Sequence, residues 1–443
     1  MAPLPSQVTG DAYTSEFGWN ILTELAEIEN RMAGHEGERR AAEIMTDAFG
    51  SIGARNVTTS EFEIQGWGRK TSSITVAETG RTYRPRDGVL ALPMSRPGEV
   101  QGSLCDVGYG TEAEFEGSDF EGAVVLVSAD SPDDSPWIHR NEKYARAVEG
   151  GAVGFVFCNH IDGNLPPTGS VGLGLGVLSE IPAIGISKEV GEALRRRAEH
   201  GCELEVKVDC ETPTTTSRNV EAVIGPDVGP EVLVSAHMDG HDIGEAAADN
   251  ALGSALVAEI GRILTAVESD LDVRVRLVAF GAEELGIIGS ERYAQRKTQD
   301  EIKAVVNIDT AGTGRTLKLK TSGFDVFEDA YEAAASELSV PVEFLTEVIP
   351  DSDHWPFVHR GIPAATANSV HEDRDRGWGH THGDTLDKLD ARDFREMALI
   401  LSAGVVKIAS ENVSARHHSP EEVRDRMAPN YLDELRITDQ WPW

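Results

Sequence analysis

Seven side chains in the second half of the chain have the types and order needed for metal-assisted hydrolysis. They are His237 and Asp239 in His237-Met238-Asp239, Asp249 ahead of Asn250, the pair Glu283-Glu284, Asp309, and His380 at the start of the stretch His380 to Thr385. Imidazole nitrogens and carboxylate oxygens are zinc ligands, and other divalent ions accept the same donors. Two imidazoles and several carboxylates delivered to one crevice would hold two ions and leave a carboxylate free as general base.

The order assigns work within the set. Asp239 is placed to accept the second ring N–H of His237 and fix its tautomer. Asp249 is the natural bridge, since one carboxylate can offer an oxygen to each of two ions. Glu283 and Glu284 leave a strand where successive side chains diverge, so one can bind an ion while the other faces water. Asp309 ends an apolar run, where a carboxylate needs a partner, and His380 with Asp384 arrives from the far side of the crevice. Taken singly, each has a plain structural alternative. A histidine at a strand end is commonly structural, Asp249 or Asn250 would cap a helix, and paired glutamates are ordinarily solvated. The ordered set has no such alternative.

The elements that must position these residues are legible as patterns. Apolar β-branched runs at 232–236, 273–280 and 304–308 read as buried strands, and helical spacing covers 251–264, 324–338 and 393–410. That alternation predicts an α/β fold with a mostly parallel central sheet flanked by helices, which binds ligands at the carboxyl ends of its strands. His237, Glu283-Glu284 and Asp309 all follow such strands. Ahead of them, 15–50 reads as helical and 57–64 alternates like a strand.

From about residue 80 the texture changes to short β runs at 123–127, 153–157 and 181–186, with helices at 142–149 and up to Arg197. A glycine-rich loop at 169–176 has no Lys and no GK[ST], which excludes a phosphate-binding loop. The expected organisation is an amino-terminal part of the catalytic domain at 1–80, an inserted β-rich domain at 81–212, the catalytic domain proper at 213–415 and a polar tail at 416–443 with one short helix at 421–427.

Charge narrows the partners. The 443 residues carry 75 acidic and 40 basic side chains, a formal charge of −35, which repels nucleic acid and anionic membranes. Only ten of the 40 basic residues are Lys. Repulsion on this scale is relieved where molar salt cuts the screening length to about 3 Å, so a halophilic, salt-rich cytoplasm is expected. No apolar run reaches the roughly 18 residues of a membrane span. The start Met1 to Gln7 has neither a basic nor an apolar leader region, which favours the cytoplasm, although a trimmed secreted form would read the same. Cys105, Cys158, Cys202 and Cys210 form no CxxC pair; a Cys202–Cys210 hairpin bridge and reduced thiols are the alternatives, with reduced thiols expected.

Ser235 to Asp239, Ala248 to Ala251, Ala282 to Gly286, Asn307 to Asp309 and His380 to Thr385 resemble the motifs of the M28 family of metallopeptidases. Ser352-Asp353-His354 and Gly361-Ile362-Pro363 fit the family's later part, and Tyr144 to Phe157 resembles a protease-associated (PA) domain. Asp309 to Thr313 and His380 to Thr385 look most like the carboxypeptidase Q-type dipeptidases of that family. The resemblance implies a zinc-exopeptidase, phosphorylase/hydrolase-like fold. It also implies two zinc ions bridged by Asp249, one held by His237 and Asp309 and the other by Glu284 and His380. Glu283 would act as general base on the bridging water, and Asp239 would orient His237.

Some relatives place a Tyr before the last histidine; Gly379 stands here, leaving His354 and His382 as substitute oxyanion donors. The expected activity is exopeptidase action on short peptides or dipeptides, as aminopeptidase or dipeptidase, with carboxypeptidase action as the alternative. In the last case Arg374 and Arg376 would bind the substrate carboxylate. A glutaminyl cyclase-like transferase or a non-catalytic binding protein would not need the full ligand set with Glu283. A homodimer is expected by analogy with the dipeptidase type.

Overall fold

The computed structural model describes residues 3–198, 201–370 and 378–443. Two eight-stranded sheets dominate them. The order in the first is Arg55–Gln65, Thr214–Ile224, Val275–Phe280, Glu231–His237, Ile302–Ile308, Ala364–Ser369, Leu317–Lys320, Val342–Leu345. Its four central strands, Val275–Phe280 through Ala364–Ser369, are mutually parallel. The flanks are mixed: Thr214–Ile224 runs antiparallel to both its neighbours, and Leu317–Lys320 runs antiparallel to Ala364–Ser369. At the far edge Val342–Leu345 pairs parallel with Leu317–Lys320, so the sheet is parallel where the site sits and mixed on either side of it.

Every residue of Glu231–His237 and Ile302–Ile308 is buried, as expected of strands covered on both faces by helices. Leu252–Ala266, Asp325–Leu338 and Ala391–Ile408 form within a few residues of their predicted bounds, and the last packs against both of the others. Phe17–Ala26 and Glu36–Ser51 add their apolar stripes to the same core. Parallel central strands bring their carboxyl ends to one edge, so His237, the turn after Phe280 and Asp309 arrive together.

The second sheet runs Arg81–Tyr83, Gly68–Val76, Glu203–Glu211, Gly98–Asp106, Val124–Ser128, Gly154–Cys158, Ala183–Ile186, Val89–Ala91. It takes in Gly68–Val76, ahead of the expected change near 80, because that strand pairs with Glu203–Glu211 far along the chain. The helices Arg140–Glu149 and Lys188–Ala198 belong with this sheet, so the insert is more helical than a purely β module. All four cysteines are free. Cys202 immediately precedes the strand Glu203–Glu211 and Cys210 nearly ends it, so the two do not face each other across a hairpin.

The carboxyl-terminal segment is more ordered than its sequence promises. Pro420–Arg426 is a helix capped reciprocally by Ser419 and Glu422, and a second helix follows at Pro429–Ile437. That second helix buries Tyr431 and Leu435 and touches the helix Arg140–Glu149 of the insert. No helix among the described residues is long and apolar enough to cross a membrane.

Candidate active site

The strand Glu231–His237 delivers His237 to the sheet edge, and the turn after Val275–Phe280 delivers Glu283 and Glu284. Ala282 holds a left-handed backbone (φ 58°) at that turn, which separates the directions of the two glutamates. Glu283 faces His237, 4.0 Å from its Nε2, while Glu284 faces His380, 3.7 Å from its Nε2. Asp309 lies 4.0 Å from His237 Nε2. Asp249 stands between the two histidines, its Oδ1 3.3 Å from His237 Nε2 and its Oδ2 2.9 Å from His380 Nε2. The side chains thus form two groups of potential ion donors, His237–Asp249–Asp309 and His241–Glu284–His380, the donor atoms of each lying within 4.8 Å of one another.

Neighbours fix these positions. Asn250, not Asp249, does the helix capping: its Oδ1 accepts the amide of Gly253 at 2.9 Å while its Nδ2 donates to the Ile308 carbonyl. Asp249 is thereby left free to face the crevice. Asp239 approaches His237 Nδ1 more closely with its backbone carbonyl (3.2 Å) than with its carboxylate (3.6 Å). Its carboxylate instead accepts the amides of Glu283 and Glu284, both at 3.2 Å, tying the two strand ends together. Ser352 donates to Asp309 at 2.7 Å and accepts from Asn307 at 2.9 Å.

The charge balance at this edge calls for cations. At the opposite end of the same strand, buried Glu231 is paired with Arg276 at 2.9 Å and Lys297 at 3.0 Å. At the carboxyl end no Arg or Lys ion pair meets Asp249, Glu283, Glu284 or Asp309 among the described residues. Burial, reinforced by neighbouring carboxylates, pushes Glu283 well above the usual carboxyl range, Asp309 to about 6 and Asp353 to about 7. Burial alone would lower the His380 pKa, but Glu284 and Asp249 outweigh it and raise it to about 9. Glu284 Oε1 is buried without a hydrogen-bond partner. Clustered buried carboxylates, imidazoles turned toward them and an unpartnered oxygen fit a pair of divalent cations, and the mixed N/O donor chemistry suits zinc.

Comparison with known proteins decides the class. Residues 219–405 match the profile of peptidase family M28 and residues 89–194 that of the PA domain. The chain carries a peptidase family M28 domain. That metallopeptidase domain is accompanied by a PA domain. The chain is 26% identical over 442 residues to aminopeptidase YwaD of Bacillus subtilis (strain 168), covering 95% of this chain and 90% of that protein. Carboxypeptidase Q of Bos taurus is 28% identical over 393 residues, covering 84% of this chain and 80% of that protein. The structure of an aminopeptidase from Aneurinibacillus sp. strain AM-1 superposes with a TM-score of 0.67 at 27% identity, over 93% of this chain and 96% of that one. BSAP, a zinc aminopeptidase from Bacillus subtilis, shares the fold with a TM-score of 0.70 at 24% identity, over 91% and 95% of the two chains.

The site of this M28 domain opens into a cavity of about 440 Å³ walled by three parts of the chain. The first sheet contributes Asp249, Glu283, Glu284, Asp309 and Lys320; the insert contributes Trp137, Arg140 and the loop 170–177; the last helix contributes Tyr431 and Glu434. The glycine-rich loop is thus a cavity wall. An added Cβ at Gly286 would lie 2.7 Å from the amide nitrogen of Gly176, so the turn after Glu284 and this loop meet backbone to backbone.

All seven predicted residues gather at one edge, and Asp384 lies just behind them. The two suggested oxyanion donors do not line the cavity: His354 is buried, its pKa pushed down to about 4 by desolvation, and His382 is exposed. Arg374 and Arg376 lie outside the described residues. His241 and Arg31 are among the residues not singled out from sequence. His241 sits against Glu284, and its signal was a second histidine four positions after His237 in a glycine-containing turn. Arg31 lies buried under the site with no sequence signal to separate it from a solvated arginine.

Proposed function

We propose that this M28 peptidase is a co-catalytic di-zinc exopeptidase that hydrolyses short peptides or dipeptides, as an aminopeptidase or dipeptidase. The observation that carries the reading is Asp249 presenting one oxygen to His237 and the other to His380. His237 and Asp309 would hold one zinc ion, Glu284 and His380 the other, with Asp249 common to both. Bound zinc supplies Lewis acidity, polarising the scissile carbonyl and lowering the pKa of water.

The chain's own residues supply the rest. Glu283 faces the space between the donor groups, and its raised pKa suits a carboxylate that takes a proton from the attacking water and returns it to the leaving amine. Asp239 orients His237 and holds the Glu283-Glu284 turn in register. A cavity of about 440 Å³, roofed by the PA insert and the last helix, favours small substrates.

Arg140 favours recognition of a free carboxylate, hence dipeptidase or carboxypeptidase-type action. Its Nε donates to the Ser170 carbonyl at 2.9 Å and it lines the cavity shared with Glu283 and Glu284. The charge of −35 further supports a protein adapted to molar salt. Glu283→Gln tests the assignment: kcat should fall by about 10²–10⁴ with zinc content unchanged. A Glu283→Gln protein as active as wild type would overturn it.

A further inference from the structure

A third imidazole stands in the site and takes no part in the reading above. His241 is only 5% exposed, and its Nε2 lies 2.8 Å from Glu284 Oε2. Its ring meets that of His380 edge-on, with centroids 4.6 Å apart. Beyond the approach to Glu284, neither ring nitrogen has a hydrogen-bond partner. A buried imidazole ordinarily places both nitrogens, so an unsatisfied one turned toward a carboxylate and a second imidazole is placed as a ligand would be.

We propose that His241 is itself a metal ligand and that the two ion sites are unequal. The inference rests on the di-metal reading. His241, Glu284 and His380 with Asp249 make a four-donor, nitrogen-rich site. His237 with Asp249 and Asp309 makes a three-donor, oxygen-rich one. Four protein donors close the coordination of zinc, whereas three leave a position open for water or substrate. Imidazole also favours zinc over harder ions, while carboxylate-rich sites admit manganese and magnesium. The His241 site is therefore the one that retains zinc, and the His237 site is the exchangeable one where chemistry occurs.

The test is zinc release from the full-length protein in molar KCl, titrated with a chelator and followed by zinc content per chain. Wild type should release its two ions in separate steps, the tighter one at about 100-fold higher chelator strength or more. His241→Gln keeps an amide N–H for Glu284 but removes the imidazole. Its tighter step should weaken by more than the about 10–100-fold that losing an outer hydrogen-bond partner costs. X-ray absorption on zinc-loaded wild type should count three imidazoles over the two ions, a readout that needs no variant to fold.

Two bound zinc ions with only two imidazoles, or a His241→Gln release curve matching wild type, would overturn this inference and leave the di-zinc reading standing. A folded wild-type protein that takes up no zinc would overturn both.

Discussion

Asp384 holds Asp249 from behind through the backbone: its Oδ2 accepts the Asp249 amide at 3.1 Å while its Oδ1 accepts the neighbouring Ala248 amide at 2.8 Å. Both oxygens are therefore spent on orienting the residue that links the two donor groups. Burial, with the nearby Asp249 charge adding to it, pushes the Asp384 carboxyl up to about 6.

Asp384→Asn would turn an NH₂ group toward one of those amides, donor against donor. Zinc affinity should fall about 10–100-fold, as for loss of other partners that orient ligands. Competition with a chromogenic chelator measures it, and unchanged affinity would show that the Asp249 backbone does not need this grip.

Arg31 is 1% exposed and donates to four carbonyls, those of Leu25 (2.7 Å), Glu245 (2.7 Å), Ala246 (2.7 Å) and Met238 (3.3 Å). It stitches an amino-terminal loop to the segment that leads into Asp249, and burial lowers its pKa to about 10 against the pull of Asp384 and Asp239. Arg31→Met leaves those carbonyls unpaired and should cost about 3 kcal/mol or more in urea unfolding. Arg31→Lys should not restore the loss, because an ammonium lacks the planar fork. Full rescue by Lys would reduce the role of Arg31 to its charge.

Arg140→Ala should raise KM about tenfold or more for dipeptides with a free carboxylate, the equivalent of about 1.4 kcal/mol, and leave amide-blocked substrates nearly unaffected. Equal effects on both would mean that Arg140 shapes the cavity without binding the substrate terminus.

The melting temperature should rise between dilute buffer and about 1 M KCl, where screening shortens to about 3 Å. With 75 acidic against 40 basic side chains, the gain should continue after divalent ions are saturated. A melting temperature that stays flat or falls would remove the halophilic reading.

His237, Glu284 and Asp309 were legible because each follows an apolar strand, and a parallel sheet brings strand ends together whatever the rest of the chain does. Asp249 and His380 follow no strand and were legible only as members of the ordered set. The long helices were legible from spacing for the same local reason. What the sequence withheld depends on distant pairing. Gly68–Val76 reads like its neighbour Arg55–Gln65, and only its pairing with Glu203–Glu211 puts it in the other sheet. The helix Pro429–Ile437 buries only Tyr431 and Leu435, too thin an apolar stripe to stand out in a polar tail, yet it supplies Tyr431 and Glu434 to the cavity. Asp249 and Asn250 looked interchangeable as caps, and tertiary contacts to Ile308 and Thr310 assign that task to Asn250. Nothing in the sequence marks Arg31 or Arg140 until the fold buries one under the site and sets the other in its wall.

The most direct test of the central claim is cleavage of a dipeptide series, with free or blocked termini, by purified protein in molar KCl before and after metal removal. The account predicts cleavage that is abolished by the chelator, returns with about two equivalents of zinc, and is lost when the substrate amine is blocked. Undiminished cleavage by the stripped protein, or none by folded protein holding two zinc ions, would contradict it.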